Sequence, residues 1–353
     1  MRRFASVLTL TALLAALSPL TTGSASAAVA RRTTIGCSGC WPTALAFSPS
    51  GDRLFYVERF TGEIRIYNFG TGSNRLWGRI PNLATSGEQG LLGIAVDPRW
   101  PNVRRLYVYY TNASPFENRI AKLRWDGDGT PTQTILARSR AASNHNGGVI
   151  HTGPGNYLFA VTGDAGSPSL SQNTGVNAGK VLRLTRSGGV PPGNPFPGEF
   201  VFSYGHRNSF GFTFDPRTGR LWQTENGPEC DDEANFVRVG RNYGWGPNSD
   251  CPGTSESGPN PTQAEAVWNP LIAPTGATFC DGCQLGSAVA GRLLVGSWID
   301  NRIRRLTLDA DRNDVTVRRV IFVNPDGVLA LESRPNGRVF FSDPNGIYRL
   351  VRV

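Results

Sequence analysis

The sequence contains three histidines, and one of them lies where a catalytic base could act. His145 is in a polar, glycine-containing segment, residues 143–148, which predicts a loop that a ligand can approach closely. Because imidazole readily accepts a proton near neutral pH, His145 is the candidate general base. His151 lies in a strand-like apolar segment and is predicted to be structural, whereas His206 could serve either role.

An acidic run is the second candidate site. Asp231, Asp232 and Glu233 follow shortly after the dipeptide formed by Gly227 and Pro228. Carboxylates and exposed backbone carbonyls are the oxygen ligands that a hard cation such as Ca²⁺ prefers. A solvated acidic turn has the same sequence pattern, so both interpretations are open at this point.

Two further polar segments, residues 87–93 and 204–211, each precede a strand-like sequence that recurs along the chain. An apolar strand leads to a turn of the type Ser/Asp-Pro-x-Gly, and Arg-Leu-aromatic-Val follows. Proline and glycine set the backbone angles of such a turn, and the branched and aromatic residues beside it favour strands. The six copies begin near Ala44, Leu92, Gly148, Phe210, Arg292 and Leu329.

Six ordered copies predict an all-β protein, a six-bladed β-propeller over residues 35–353, rather than a β-sandwich whose turns resemble one another by chance. The loops at one mouth of a propeller channel lie together, and this would bring the candidate segments into one site. Residues 246–274, rich in Pro, Gly, Ser and Asn, are predicted to form a long loop on one face.

Composition and charge exclude several other classes of protein. The 353 residues include 42 Gly and 25 Pro, which disfavour a long helical protein, and 39% hydrophobic residues, which exclude a disordered chain. The net charge is +9, but the arginines are scattered and no run of five like charges occurs. We therefore expect a solvated basic surface and no nucleic-acid partner.

Residues 1–27 are predicted to be a secretory signal peptide. Arg2 and Arg3 precede an apolar run over residues 4–17, which is shorter than the roughly 20 residues needed to span a bilayer. Small residues then lead to a cleavage site after Ala27. We expect a secreted protein without a membrane span, in which residues 28–34 form a short linker.

The six cysteines include two Cys-x-x-Cys pairs. Export exposes a protein to oxidising conditions, which favour disulfides over zinc-binding or redox-active thiolates. The simplest pairing joins Cys37 to Cys40, Cys230 to Cys251 and Cys280 to Cys283.

In its polar segments the chain resembles the soluble sugar dehydrogenases that use pyrroloquinoline quinone (PQQ), the glucose/sorbosone and aldose sugar dehydrogenase family. The segments that carry the resemblance are 87–93, 145–148, 163–164, 205–211, 225–228, 232–235 and 242–245, within about residues 40–350. The resemblance implies a six-bladed propeller that oxidises the anomeric hydroxyl of an aldose sugar to the lactone. It further implies PQQ as hydride acceptor, Ca²⁺, an external electron acceptor, and a monomer or homodimer.

The family motifs assign roles to four residues near the first candidate site. His145 matches the general base that takes the hydroxyl proton. Arg207 and Asn208 match a pair that contacts the cofactor, a task that suits a guanidinium because its planar fork meets carboxylates bidentately. Glu88 falls where relatives have a cofactor-contacting glutamine.

The same motifs imply two calcium sites. The carbonyls of Gly227 and Pro228 match ligands of a Ca²⁺ that polarises the quinone, as a Lewis acid does. Glu233 and Tyr243 match a second, structural Ca²⁺ site.

The sequence departs from the family pattern at three positions. Relatives often have an aspartate directly before the catalytic histidine, where it orients the imidazole, but this chain has Asn144. Basic residues expected in the fifth and sixth blades are replaced near Ile299 and Gly327. Because PQQ carries several carboxylates, fewer cations predict weaker cofactor binding, at roughly 1.5–3 kcal/mol for each charged hydrogen bond. The alternatives are a non-catalytic propeller that binds carbohydrate or protein, and a Ca²⁺-dependent sugar lactonase.

Overall fold

The computed structural model describes residues 29–125, 127 and 129–353, and in this part of the chain 24 strands form six four-stranded antiparallel sheets. The sheets surround a central channel, so the predicted all-β, six-bladed propeller is confirmed. No helix among these residues is long and apolar enough to cross a membrane. The predicted signal peptide, residues 1–27, lies outside the described residues.

Each of the first five blades is one continuous stretch of chain whose strands follow one another in order across the sheet. Blade 1 contains β2 (Pro42–Phe47), β3 (Arg53–Glu58), β4 (Glu63–Asn68) and β5 (Asn74–Arg79). Blade 2 contains β6 (Leu91–Val96), β7 (Arg105–Asn112), β8 (Glu117–Arg124) and β9 (Thr132–Arg140). Blade 3 contains β10 (Gly147–Thr152), β11 (Leu158–Thr162), β12 (Lys180–Leu184) and β13 (Val201–Tyr204), with a 3₁₀ turn at Pro154–Asn156 and helix α1 at Pro168–Gln172.

The remaining blades follow the same plan until the ring closes. Blade 4 contains β14 (Gly211–Phe214), β15 (Leu221–Glu225), β16 (Asp232–Val237) and β17 (Ala266–Trp268). Blade 5 contains β18 (Pro274–Phe279), β19 (Leu293–Ser297), β20 (Arg302–Leu308) and β21 (Val315–Val323). Blade 6 contains β22 (Ala330–Ser333), β23 (Val339–Asp343), β24 (Gly346–Arg352) and the N-terminal strand β1 (Val29–Gly36).

Strand β1 closes the ring by completing the last blade. It pairs antiparallel with β24, from Val29 opposite Arg352 to Gly36 opposite Gly346. The linker that we expected over residues 28–34 is therefore not one, because the backbone from Val29 onward is hydrogen-bonded into the sheet. The propeller accordingly begins before residue 35.

The sequence of the repeat explains both the turns and the packing. In blade 1 the amide of Gly51 donates to the carbonyl of Ser48 at 2.8 Å, and Gly51 has a φ of 72°, which a residue with a side chain adopts at a cost. Neighbouring sheets bury apolar side chains between them, as Phe55 and Val57 of blade 1 do with Ile94 of blade 2. Because both faces of the sheet are covered, the inner strand β6 of blade 2 is apolar and buried without alternation.

Two segments differ from the sequence-based prediction. The predicted loop over residues 246–274 contains the short strand β17. Strand β18 begins at Pro274, the last residue of that loop, and the repeat pattern does not predict it because the pattern detects blade 5 only from Arg292. Strand β18 contains Pro274 and Gly276, which disfavour strands, although its two threonines and Phe279 favour one. All three predicted disulfides are present.

The central channel holds a narrow cavity of about 30 Å³ between the six inner strands, lined by a partly buried acid and a partly buried base. His151 on β10 faces Glu332 on β22, with 3.9 Å between Nδ1 and Oε2. Burial raises the pKa of Glu332 to about 8 and lowers the pKa of His151 to about 4. Both shifts favour the neutral forms, and His151 lies on β10 inside the channel, away from the cavity at its mouth.

This pair predicts how stability depends on pH. Below about pH 6.5, a rise in pH increases stability through His151 and decreases it through Glu332, so the two effects offset each other. Between about pH 6.5 and 8, only Glu332 of this pair still changes its contribution, and stability should fall as pH rises. Glu332→Gln should make that fall shallower, and the remainder belongs to Glu233, whose pKa burial also raises to about 8. Asp311→Asn, at an exposed carboxyl, should leave the slope unchanged. Thermal unfolding midpoints measured at pH 6.5 and 8.5 check this, and an unchanged slope in Glu332→Gln would contradict it.

Candidate active site at the channel mouth

A cavity of about 500 Å³ opens at the end of the channel where the inner strands begin. The inner strands run in the same direction, so their entry loops meet at this mouth. The second strand of each blade runs antiparallel to the first, so its end lies beside the start of the first strand. The residues that follow the second strand therefore also reach the cavity. Entry-loop residues of the cavity are Trp41, Glu88, His145, Asn208, Ala273 and Leu329, and residues at or after second strands are Arg59, Asn226 and Trp298.

His145 has one ring nitrogen bonded to a carboxylate and the other available. Its Nδ1 lies 2.8 Å from Oδ1 of the fully buried Asp164. Asp164 is held in place by two donors, the indole Nε1 of Trp245 and the amide of Gly166, each at 2.8 Å. A carboxylate only accepts hydrogen bonds, so Nδ1 carries the proton and the lone pair of Nε2 is left to act as a base.

Asp164 corrects the interpretation of Asn144. The sequence pattern indicated that this chain lacks the carboxylate that orients the imidazole, but the structure supplies it from the end of β11. Because β11 pairs with β10, and Thr162 lies opposite Gly147, the residues just after β11 lie beside the His145 loop. The segment 163–164 was part of the family resemblance, and this strand pairing is the signal that assigns Asp164 its role.

Glu88 and Asn208 connect three entry loops around His145. Oε2 of Glu88 accepts the backbone amide of His145 at 2.6 Å and Nδ2 of Asn208 at 3.1 Å. Oδ1 of Asn208 accepts the amide of Gly147 at 3.2 Å. Both donors reach the same oxygen, and the amide oxygen of a glutamine could accept the same two bonds. The two residues therefore fix the backbone that presents the imidazole.

Arg207 supplies a buried cation to the same cavity. Its Nη1 donates to the carbonyl of Asn226 at 2.9 Å, and its guanidinium lies 5.2 Å from the ring centre of Trp245. Burial lowers the pKa of Arg207, so water compensates its charge poorly. Its buried Nε has no hydrogen-bond partner among the described residues. A buried cation with an unused donor fits an anionic ligand.

His206 has a supporting role, which settles the choice that the sequence left open. It is buried, its Nδ1 lies 2.9 Å from Oε2 of Glu225, and its Nε2 lies 2.8 Å from Oγ of Ser203. The other oxygen of Glu225 accepts the backbone amide of Arg207. His206 and Glu225 thus hold Arg207 from behind, and they do not line the cavity.

The turn at Gly227 and Pro228 lines the cavity and has free oxygen atoms. Neither of the two carbonyls accepts a hydrogen bond from another described residue, and the amide of Gly227 donates to Asp232 at 2.9 Å, which fixes the turn. Within the described chain no group of three or more His, Cys, Asp or Glu side chains could hold a metal. The donor type suits Ca²⁺, with backbone oxygens as the protein's contribution.

Glu233 and Tyr243 lie behind this turn at a cavity of only about 10 Å³. Oε1 of Glu233 accepts Oγ of Ser255 at 2.6 Å, and burial, together with the nearby charge of Glu225, raises the pKa of Glu233 to about 8. The hydroxyl of Tyr243 donates to the carbonyl of Phe236 at 2.6 Å. The backbone carbonyl of Tyr243 is therefore the oxygen of this residue that is left for a cation. The structural Ca²⁺ site at this pair stays a prediction.

Aromatic side chains form the outer rim of the cavity. The ring of Trp41 lies 5.5 Å from that of Phe60 and 5.6 Å from that of Trp298. The Trp298 ring packs on Gly327, where a Cβ atom would approach it to 2.5 Å. Trp298 and its neighbour Ile299 are exposed at the mouth. An apolar rim therefore occupies the region where the family resemblance led us to expect basic residues.

Comparison with known proteins identifies the family. A model of the family described as glucose / sorbosone dehydrogenase matches residues 40–352, which is nearly the whole propeller. The chain belongs to this family. The resemblance stated from the sequence is therefore confirmed, and it places the chain among the sugar dehydrogenases, a class of oxidoreductases.

Named relatives and solved structures agree with the family. Aldose sugar dehydrogenase YliI of Escherichia coli is 31% identical over 218 residues, 58% of this chain and 58% of that protein. Quinoprotein glucose dehydrogenase B of Acinetobacter calcoaceticus is 31% identical over 240 residues, 58% of this chain and 50% of that protein. The PQQ-bound form of aldose sugar dehydrogenase from Streptomyces coelicolor is 28% identical, with a TM-score of 0.78 over 92% of this chain and 98% of that chain.

Proposed function

We propose that this protein is a secreted, PQQ- and Ca²⁺-dependent dehydrogenase that oxidises the anomeric hydroxyl of an aldose to the lactone and transfers electrons to an external acceptor. The observation that carries the proposal is the His145–Asp164 pair in the same cavity as the Arg207 guanidinium. A base and an unpaired cation are what proton abstraction beside an anionic cofactor needs. The PQQ-bound neighbour and the quinoprotein relative support the cofactor, and the predicted leader supports export.

The residues present fit PQQ. Arg207, with its unused Nε, and Asn208 would hold the cofactor, and the carbonyls of Gly227 and Pro228 would hold Ca²⁺ as a Lewis acid. When bound, PQQ would accept the hydride from the sugar.

The proton is handled by the chain itself. Nε2 of His145 would take the proton of the anomeric hydroxyl, since its other nitrogen is held by Asp164. The negative charge of Asp164 would stabilise the imidazolium that forms. The aromatic rim of Trp41, Phe60 and Trp298 offers apolar faces on which a sugar ring can pack.

The proposal predicts activity that requires both cofactors. Purified protein should reduce a redox dye in the presence of an aldose only after addition of PQQ and Ca²⁺, and a chelator should remove the activity. The lactone product is detected by its reaction with hydroxylamine. Failure to bind PQQ at micromolar concentration would contradict the proposal. Lactone hydrolysis without PQQ would instead indicate a lactonase, and glycan binding without turnover would indicate a binding propeller.

A further inference from the structure

Arg59 is a second guanidinium at the cavity, and neither the sequence motifs nor the proposed mechanism uses it. It directly follows β3 of blade 1, and the end of that strand lies beside the start of β2, where Glu58 pairs with Pro42. Arg59 lines the same cavity as His145 and Arg207. Its position therefore brings a cation to the mouth from a blade in which none was expected.

The contacts of Arg59 hold it in place without neutralising it. Nε donates to the carbonyl of Gln89 at 3.0 Å, and Nη2 donates to the carbonyl of Gly87. The guanidinium also lies 4.8 Å from the ring centre of Phe60. Two of its five N–H groups are used in this way, and no other hydrogen-bond partner of its side chain is found among the described residues. Arg59 is thus preorganised, with donors to spare.

No carboxylate of the described residues lies within 4.0 Å of the Arg59 guanidinium. The nearest acid that acts on it is Glu88, whose Oε2 already accepts the amide of His145 and the side chain of Asn208. Burial lowers the pKa of Arg59, which indicates that water compensates its charge poorly. Arg207 is also buried, but the charges of four carboxylates act on it, so Arg59 is the less compensated cation of the cavity.

We propose that Arg59 binds a carboxylate of PQQ, and that this cation of blade 1 compensates for the basic residues absent from blades 5 and 6. The inference rests on the proposed function, since it assumes that PQQ enters this cavity. Near Ile299 and Gly327 the Trp298 ring occupies the available space. A guanidinium suits the task because its planar donors match a carboxylate.

The test compares the affinity for PQQ with the affinity for its trimethyl ester, which lacks the carboxylate charges. Titrations followed by tryptophan fluorescence use the wild type, Arg59→Gln, Arg59→Lys and the control Arg75→Gln, an exposed arginine of the same blade. Arg59→Gln should weaken PQQ binding about tenfold or more, Arg59→Lys should weaken it less, and Arg75→Gln should leave it unchanged. The ester should bind the wild type and Arg59→Gln equally.

Each other outcome separates the two proposals. Equal PQQ affinity of wild type and Arg59→Gln overturns the role of Arg59 and leaves the proposed function standing. If Arg59→Gln weakens the binding of PQQ and of the ester equally, the proposed role of Arg59 is also overturned. That result would show that Arg59 only supports the loop at Gly87 and Gln89. An increase in the KM for a uronic acid, with unchanged PQQ affinity, assigns Arg59 to the substrate instead. A wild type that does not bind PQQ rejects both proposals.

Discussion

Replacing His145 with alanine should lower turnover about 10²–10⁴-fold, the range for loss of one general base, while cofactor affinity changes little. The reason is the geometry of the imidazole: Nδ1 is bonded to Asp164 and no described residue bonds Nε2, so the free nitrogen is available to the sugar hydroxyl. The measurement is kcat for dye reduction at saturating PQQ and Ca²⁺, together with a PQQ titration of the same variant.

Arg207→Ala is the matched control for this prediction. Its guanidinium lines the cavity and makes no hydrogen bond to His145 among the described residues, so its loss should chiefly weaken PQQ binding and leave kcat at saturating cofactor less affected. A binding-only propeller has no reason to separate these two effects. If both variants lose cofactor binding and turnover in parallel, the assigned roles are wrong even though the fold and the family stand.

The fold could be predicted from the sequence because its information is local. A turn of the Ser/Asp-Pro-x-Gly type, followed by an apolar strand, indicates a hairpin within a short stretch of chain. Six four-stranded blades built on such hairpins close a ring. The exceptions are strands whose formation depends on distant partners. Strand β1 is ordered by pairing with β24 at the other end of the chain, and β18 forms from small residues because it is enclosed by neighbouring blades.

Most of the site residues that the sequence predicts lie in the loops before the inner strands; Gly227 and Pro228, which follow β15, are marked by the family motifs instead. His145, Glu88 and Asn208 belong to that class, and the structure brings all three together. Asp164 and Arg59 follow second strands instead, and they reach the cavity through strand pairing that a linear motif does not display. The family motifs predict one cofactor-contacting cation, Arg207, and the loss of others in blades 5 and 6; the structure adds Arg59 to the same cavity.

Asp164→Asn should also lower kcat by about 10²–10⁴-fold, although the side chain stays the same size. Asp164 accepts hydrogen bonds at both oxygens, from His145 and Gly166 on one side and from Trp245 on the other. An asparagine has a single oxygen, so its NH₂ group must face a donor on one side. It also lacks the negative charge that stabilises the imidazolium. PQQ affinity and the thermal unfolding midpoint of this variant separate a catalytic defect from a folding defect.

Asn144→Asp discriminates between the interpretation from the sequence and that from the structure. If Asp164 already orients the imidazole, adding an aspartate at position 144 to the wild type should change kcat by less than about twofold, because no hydrogen bond of His145 is missing. The same change added to Asp164→Asn should fail to restore activity, since Nδ1 of His145 faces β11 and not its own preceding residue. Recovery of turnover in the double variant would contradict this geometry, because it would show that position 144 can also supply the orienting charge. Full activity of Asp164→Asn alone would remove Asp164 from its assigned role.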